Sequence, residues 1–387
     1  MRKERKMKRF TNLIAITLVL TTIFALLFTP GCAKKPQEPK EIKIGAIIPL
    51  TGNFATYGEP VRDGMLLAVE EINNRGGIKG SKINLIIEDD AGDPKTAVNA
   101  FTKLSNVDKV PLVLGPLSSG ASMATAPVAE KNKVVQLSTL AGIPDLSNAG
   151  DYVFRIYPSS EVGARFAARE AIKKFGPKKI AVMYMNNPFG QAAKTVYIDT
   201  ARGAGVEVAG VESFPDGEND FRTQLSKIKQ TVPDILFCSA YWGEGSRILV
   251  QMQELGLDIP VVGEDGWRGP IANIIGPKAL KNLYFADLSF GPEFTDNKIM
   301  QDFIKNFESK YQKKASTYAA TGYDAVYVAQ KTIEEVGYNG ESIKNALYKI
   351  DYPGALDHIK FDSNGDDIGV KFSLFQLNSN NEAVLVK

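Results

Sequence analysis

The chain has 387 residues, of which 44% are hydrophobic and 23% are charged, and this length predicts two domains rather than one core. It contains one histidine and two cysteines, which excludes zinc sites built from several histidines and any CxxC metal or redox motif. After residue 31 there are 40 basic and 43 acidic side chains, and this net charge of −3 argues against a nucleic-acid partner.

Residues 1–31 are typical of an export signal. The basic segment MRKERKMKRF is followed by the apolar run 13–28 and then by TPGC, which is the order of parts in a secretory signal peptide. An uncleaved membrane anchor helix is the alternative, although the run is slightly short of a membrane span. TPGC is similar to the lipid-attachment box of bacterial lipoproteins, with Thr29 where leucine is usual. We therefore expect a lipid on Cys32 and a solvated tether over residues 32–41.

Strand-like and helix-like segments alternate from residue 42 onward. The strand-like segments are IKIGAIIPL, INLIIED, PLVLG and VVQLS, and then, after residue 177, KKIAVMYM, VEVAGVESF, DILFCSAY and IPVVG. Helices are expected between them, and Asp93 is placed to cap the helix that begins at Pro94. The alternation predicts an α/β protein with two lobes, each a parallel sheet covered by helices. The pattern does not assign the helices expected at 295–350 to either lobe.

Polar loops follow several of the predicted strands. In GPLSSGAS, Ser118 and Ser119 lie where a strand leads into a helix. Ligands of open parallel sheets bind at the carboxyl ends of strands, and a helix N-terminus favours an anion. These hydroxyls therefore predict a carboxylate-binding site, with a simple helix cap as the alternative.

Aromatic and acidic residues occur in the other loops of this kind. They are Tyr57, Phe189, Tyr241, Trp242 and Trp267, together with the pair Glu264 and Asp265. Each ring alone more often belongs to core packing, but aromatic walls clustered with a few charged groups are typical of a small-molecule cleft. Cys238, inside an apolar run, is expected to be a buried hydrophobe. His358 is expected on the surface, so no histidine-dependent enzyme chemistry is predicted.

Four segments together resemble the leucine/isoleucine/valine-binding protein family, the extracytoplasmic solute receptors of ABC importers. They are TGxxAxYG, INxxGGIxG, DDxxDPxxAV and GPLSS, and the likeness extends from about residue 41 to the C-terminus. The resemblance implies a periplasmic binding protein type I fold, in which two Rossmann-like doubly wound lobes are joined by three hinge crossovers and close on a ligand. It implies an N-terminal lobe of residues 42–158 plus 288–368 and a C-terminal lobe of residues 159–287 plus 369–387.

The resemblance also implies roles for single residues. Ser119 matches the serine that binds the ligand carboxylate, and Asp265 matches the acid that pairs with the ligand ammonium, with Glu264 as an alternative alignment. The remaining matched ligand contacts are Tyr57, Leu140, Gly142, Phe189 and Tyr241. Gly142 replaces a threonine and Phe189 replaces a tyrosine, so we expect altered head-group or side-chain recognition. Ser118 stands where relatives have one cysteine of a pair, and Arg268 is either a site for a second ligand carboxylate or a surface residue.

The function implied is that of a lipid-anchored receptor, exported to the periplasm or cell surface and monomeric. It would bind a branched-chain or related amino acid and pass it to the permease of an ABC importer, with no enzymatic activity, cofactor or metal. One alternative is a receptor of the same fold for amides, urea or aromatic carboxylates. Another is a sensory protein that binds a ligand to regulate a partner.

Overall fold

A computed structural model describes residues 41–386, apart from the side chains of residues 277 and 278. The expected export signal, the tether as far as residue 40 and the lipid-bearing Cys32 lie outside the described residues. Within residues 41–386, no helix is both long enough and apolar enough to cross a membrane.

The first lobe is built on a sheet of five parallel strands. They are β1 (Glu41–Ile47), β2 (Lys82–Glu88), β3 (Leu112–Leu114), β4 (Val135–Ser138) and β5 (Val153–Arg155), in the spatial order β2-β1-β3-β4-β5. The helices between them are α1 (Ala55–Asn74), α2 (Pro94–Asn106) and α3 (Ser119–Asn132). Ile44 and Leu114 are fully buried, as expected in a parallel sheet that is covered on both faces.

The chain then leaves this sheet and starts the second lobe. Its helices are α4 (Ser160–Phe175), α5 (Pro188–Gly203), α6 (Arg222–Gln230), α7 (Trp242–Glu254) and α8 (Pro277–Leu280). They alternate with the parallel strands β6 (Lys179–Met185), β7 (Glu207–Phe214), β8 (Ile235–Ser239), β9 (Val261–Gly263) and β10 (Leu283–Leu288).

After β10 the chain returns to the first lobe. This part comprises α9 (Lys298–Tyr311), α10 (Thr317–Val336), α11 (Gly340–Leu347) and the hairpin of β11 (Tyr352–Gly354) and β12 (Asp357–Ile359). Phe303, Val326 and Ile343 belong to the same buried cluster as Ile44 and Leu114. The helices that the sequence pattern left unassigned therefore pack against the first sheet.

Two glycines fix the position of α10 on the first lobe. A Cβ on Gly64 of α1 would lie 1.9 Å from the carbonyl oxygen of Ala319, and one on Gly322 would lie 2.1 Å from that of Val61. The two helices can cross this closely only because both positions lack a side chain. The N-terminal end of α10, which begins at Thr317, is thereby held at a defined place.

The C-terminal segment completes the second sheet. It adds β13 (Phe372–Leu377) and β14 (Ala383–Leu385), both antiparallel to their neighbours, and gives the strand order β14-β13-β10-β9-β8-β6-β7. The chain thus passes between the two sheets three times, after β5, after β10 and before β13. The predicted fold of two Rossmann-like lobes is confirmed.

Local predictions from the sequence also hold. Asp93 caps α2, because its Oδ2 accepts a hydrogen bond from the main-chain N–H of Thr96 at 2.7 Å. Cys238 is fully buried in β8. His358 is exposed, as expected, and its Nδ1 lies 2.7 Å from Asp351 Oδ1.

Candidate functional site

The two serines at the start of α3 have different partners. Ser118 is the N-cap, because its Oγ accepts a hydrogen bond from the main-chain N–H of Ala121 at 3.3 Å. Ser119 is the first helical residue, and its Oγ accepts from the main-chain N–H of Ile143 at 3.2 Å. Ser119 therefore joins the loop after β3 to the loop after β4. Its own hydroxyl hydrogen stays available as a donor beside the helix N-terminus.

The buried side chain of Ser138 also connects these two loops. The Oγ of Ser138, the last residue of β4, donates to the carbonyl oxygen of Pro116 at 2.9 Å and lies 3.0 Å from Ser122 Oγ. Leu140 lies two residues after Ser138 and is partly exposed. The main chain around Leu140 is therefore fixed next to the start of α3.

Gly142 faces the beginning of α4. Its carbonyl oxygen accepts hydrogen bonds from both the N–H and the Oγ of Ser160, at 2.8 and 2.7 Å. A Cβ on Gly142 would lie 3.1 Å from the Cβ of Ser160. The space that glycine leaves is therefore taken up by close packing of this loop against Ser160.

Glu264 and Asp265 point in different directions from the end of β9, where one turn of 3-10 helix runs over Asp265–Trp267. Glu264 is fully buried and Asp265 is partly exposed. The charge of Asp265 acts on tyrosines of both lobes, namely Tyr57, Tyr157 and Tyr318 of the first and Tyr197 and Tyr241 of the second. The charge of Glu264 acts on second-lobe residues, namely Tyr197, Cys238 and Tyr241. Asp265 thus lies near both lobes, whereas Glu264 is buried within the second lobe.

Both acids hold their protons more tightly than usual. Burial, followed by the negative charge of Asp287, raises the pKa of Asp265 to about 7. Burial raises the pKa of Glu264 to about 8, although the nearby hydroxyls of Tyr197 and Ser239 act in the opposite direction. Within residues 41–386, neither oxygen of Glu264 has a hydrogen bond of good geometry. Asp265 is the acid that a cation between the lobes would ionise.

Five rings form an aromatic cluster that joins the two lobes. They are Phe54, Tyr57 and Tyr318 from the first lobe and Phe189 and Tyr241 from the second. Tyr241 stacks on Phe189 with centroids 5.4 Å apart, and it contacts Phe54 and Tyr57 edge-on at 5.6 and 5.7 Å. Tyr57 contacts Tyr318 at 5.4 Å. The cluster offers a large apolar wall with a few polar tips, which suits a small ligand with an apolar part.

The two tryptophans have separate roles. Trp267 is fully buried, and its Nε1 donates to the carbonyl oxygen of Cys238 at 2.8 Å. The expectation that Trp267 lines a cleft is therefore wrong, because its ring fills the core of the second lobe. Trp242 is partly buried, and its Nε1 donates to Thr56 Oγ1 at 3.4 Å, which places it at the contact between the lobes.

Arg268 is neither a surface residue nor a free cation. Its side chain is 16% exposed and forms a salt bridge with Asp287, which is fully buried. Burial, the largest single effect, acts to lower the pKa of Arg268, but the charge of Asp287 and its hydrogen bond, together with Tyr318 and Tyr157, outweigh it and the pKa is raised. Its Nε donates to Asp287 Oδ2, and its buried Nη2 has no hydrogen-bond partner within the described residues. Because Asp287 neutralises the charge, the arrangement argues against a second ligand carboxylate at Arg268.

Four residues at this site, Tyr157, Asp287, Thr317 and Tyr318, were not identified from the sequence. Tyr157 and Thr317 donate hydrogen bonds to Asp287, at 2.8 and 3.2 Å. Tyr318 donates to the main-chain oxygen of Asp265 at 2.8 Å. For Asp287 a signal existed, since an aspartate interrupts the apolar strand LYFADL. Tyr157 and Tyr318 carry no comparable local signal, because the crossover and the α1–α10 packing bring them to the site.

Comparisons with known proteins cover both lobes. The sequence profile described as "Periplasmic binding protein" matches residues 41–382. The Leu/Ile/Val-binding protein BraC3 of Rhizobium johnstonii is 29% identical over 93% of this chain and 96% of its own length.

Two solved structures are similar over nearly the same span. The leucine binding protein LivK from Thermotoga maritima has a TM-score of 0.83 and 26% identity, over 89% of this chain and 98% of its own. The branched-chain amino acid transporter substrate binding protein LivJ from Streptococcus pneumoniae was solved in complex with isoleucine. It has a TM-score of 0.79 and 26% identity, over 89% of this chain and 99% of its own.

Proposed function

The chain belongs to the periplasmic binding protein family, as its sequence motifs predict, and on that premise we propose that it binds an α-amino acid with an apolar side chain between its two lobes. The bound amino acid is delivered to the permease of an ABC importer. The protein itself acts as a receptor and catalyses no reaction.

The observation that carries this proposal is the placement of Asp265. Its charge acts on tyrosines of both lobes, including Tyr157 and Tyr318 of the first, whereas its neighbour Glu264 is fully buried and acts on second-lobe residues. The nearby cation Arg268 is paired with Asp287. An acid in this position, without a cation of its own, supports the binding of a ligand ammonium.

The carboxylate of the ligand would bind at the start of α3. Ser119 supplies a hydroxyl hydrogen there, and the first turn of the helix supplies free N–H groups with a partial positive charge. Ser118 and the main chain at Leu140 and Gly142 complete this end of the proposed site. Each lobe would thus bind one charged group of the zwitterion, the first lobe its carboxylate and the second lobe its ammonium.

The side chain of the ligand would pack against the aromatic cluster. Tyr57, Phe189 and Tyr241 present ring surface from both lobes, so an apolar side chain would bury its surface only when the lobes meet. Phe189, in place of the tyrosine of relatives, makes this wall less polar. Relatives whose names specify leucine, isoleucine and valine fit this chemistry.

We further propose the cellular setting that the sequence predicts. Residues 1–31 direct export, Cys32 carries a lipid anchor, and the receptor works as a monomer in the periplasm or at the cell surface. The lobe boundaries near residues 158, 288 and 368 are part of the same proposal. Mass spectrometry of the mature N-terminus tests the anchor, since a lipid on Cys32 adds a defined mass.

The test of ligand class is a thermal-shift screen on purified protein freed of ligand by unfolding and refolding. The panel contains the twenty amino acids, acetamide, urea and benzoate. A ligand at 100 times its dissociation constant stabilises the folded state by ~2.7 kcal/mol. This raises the melting temperature by a few degrees.

We expect shifts with L-leucine, L-isoleucine or L-valine. A response to benzoate, acetamide or urea with none to amino acids would keep the receptor function and contradict the ammonium site at Asp265. Calorimetry with the responding compounds would then give their affinities and stoichiometry.

A further inference from the structure

The N-terminal end of α10 reaches across to the turn that carries Asp265. Tyr318, the second residue of α10, donates its hydroxyl hydrogen to the main-chain oxygen of Asp265 at 2.8 Å. The same oxygen accepts the N–H of Arg268 at 2.8 Å, which closes the 3-10 turn. One carbonyl therefore receives a bond from within its own lobe and a bond from the opposite lobe.

A second link joins the same two elements through a buried carboxylate. Thr317, the first residue of α10, donates to Asp287 Oδ2 at 3.2 Å, and Arg268 forms its salt bridge with that oxygen. Tyr157 donates to Asp287 Oδ1 at 2.8 Å. Thr317 and Asp287 are fully buried, so these interactions are shielded from water and salt.

The turn needs such support from outside. Asp265–Trp267 is a single 3-10 turn of three residues. A turn this short does not define its own orientation, so contacts with neighbouring elements must do so. Its two ends are held differently, because Trp267 is anchored in the second-lobe core whereas Asp265 borders the space between the lobes. The contacts from α10 act on the Asp265 end of the turn, which borders the space between the lobes.

We infer that Tyr318 and Thr317 are positioning residues, which hold the Asp265–Arg268 turn against the first lobe and so fix the Asp265 carboxylate when the lobes are in contact. The role of Asp265 in ligand binding rests on the proposed function. Hydrogen bonds between lobes exist only while the lobes touch, so these residues stabilise the closed form relative to the open form. They should therefore slow ligand release more than they affect ligand capture.

The variant that isolates this effect is Tyr318→Phe. It keeps the ring that contacts Tyr57 and removes only the hydroxyl. The matched control is Tyr338→Phe, because the Tyr338 hydroxyl also donates to a main-chain oxygen, that of Lys43 at 2.6 Å, but within the first lobe. Thr317→Val removes the second link and serves as an independent variant.

The experiment measures release of L-leucine and L-isoleucine by stopped-flow fluorescence, and amide exchange at Arg268 by hydrogen–deuterium exchange with and without these amino acids. We expect Tyr318→Phe to release ligand about three- to tenfold faster, as for the loss of one hydrogen bond, with little change in the association rate. Exchange at Arg268 should accelerate. Tyr338→Phe should leave release and exchange at wild-type values.

Two kinds of failure are distinguishable. If the wild-type protein binds neither amino acid, the proposed function fails, whereas faster exchange at Arg268 in Tyr318→Phe still supports the positioning role. If the wild type binds ligand and both Tyr318→Phe and Thr317→Val release it within twofold of the wild-type rate, the inference is overturned.

Discussion

Glu264 and Asp265 are adjacent in the chain, yet their carboxylates lie in different environments. Glu264 is fully buried beside Tyr197 and Ser239, and Asp265 borders the space between the lobes among first-lobe tyrosines. The separation arises because β9 ends at Gly263, Glu264 continues in an extended conformation and a 3-10 turn begins at Asp265. Only one of the two acids is therefore placed to meet a ligand.

Exchanging each acid for its amide separates their roles. We expect Asp265→Asn to weaken binding of L-leucine by ~2–5 kcal/mol, because the ligand ammonium loses its buried counter-charge. This is roughly 30-fold or more in the dissociation constant. Glu264→Gln is the matched control and should bind within threefold of wild type by calorimetry. Loss of binding in Glu264→Gln with retention in Asp265→Asn would reverse the assignment.

Affinity should depend on pH through Asp265. Its pKa in the free protein is raised to about 7, so below that pH the carboxyl carries a proton that must leave when an ammonium binds. The dissociation constant for L-leucine should therefore rise as the pH falls below 7, by up to tenfold per pH unit. Above pH 8 it should be constant. Calorimetry from pH 5 to 9 measures how the dissociation constant changes with pH. The Asp265→Asn variant should lack this dependence. An equal dependence in both proteins would assign the titration to another group.

The two serines at the start of α3 should respond differently to alanine. Ser119→Ala removes the donor proposed for the ligand carboxylate and should cost ~1.5–3 kcal/mol of binding free energy. Ser118→Ala removes the helix cap and should lower the free energy of unfolding by about 1 kcal/mol. Calorimetry and urea denaturation of both variants measure the two effects. If Ser119→Ala changes stability and leaves affinity intact, its bond to the Ile143 N–H is its only role.

Much of the fold was predictable because the spacing of apolar residues shows which segments are strands and which are helices with one buried face. The strand segments and the cap at Asp93 depend on neighbours in the sequence, and both were found. Periodicity could not assign the helices α9, α10 and α11 to the first lobe, because that assignment depends on contacts between residues far apart in the sequence. It followed from the family resemblance, and in the structure it is accompanied by the close approach of Gly64 to Ala319 and of Gly322 to Val61, which packs α10 against α1.

The site was predictable only as far as loops could be identified. Sequence placed Trp267 and Asp265 in one loop, but it could not tell that the first points into the core and the second toward the other lobe. Arg268 was expected to be exposed or free, because its partner Asp287 lies 19 residues away on another element. Side-chain direction in a turn of three residues is set by packing, which leaves no periodic signal.

Stability should also depend on pH, through Glu264 and in the direction opposite to that of most acids. Its folded-state pKa is raised to about 8 from an ordinary value of 4.5, so the folded protein binds a proton that the unfolded chain has released between these two values. The contribution of Glu264 to the free energy of unfolding therefore falls as the pH rises from about 4.5 to about 8.

Glu264→Gln removes this titration while keeping a similar shape. The variant should match wild type at pH 5 and become more stable than wild type by roughly 2 to 4 kcal/mol at pH 9. Urea denaturation at pH 5, 7 and 9 measures the difference. Taking the difference between the two proteins cancels the titration of acids elsewhere in the chain whose pKa values are also raised, such as Asp90, Asp324 and Asp367. A difference that does not change with pH would mean that Glu264 is ionised in the folded protein, with Tyr197 and Ser239 as its hydrogen-bond donors.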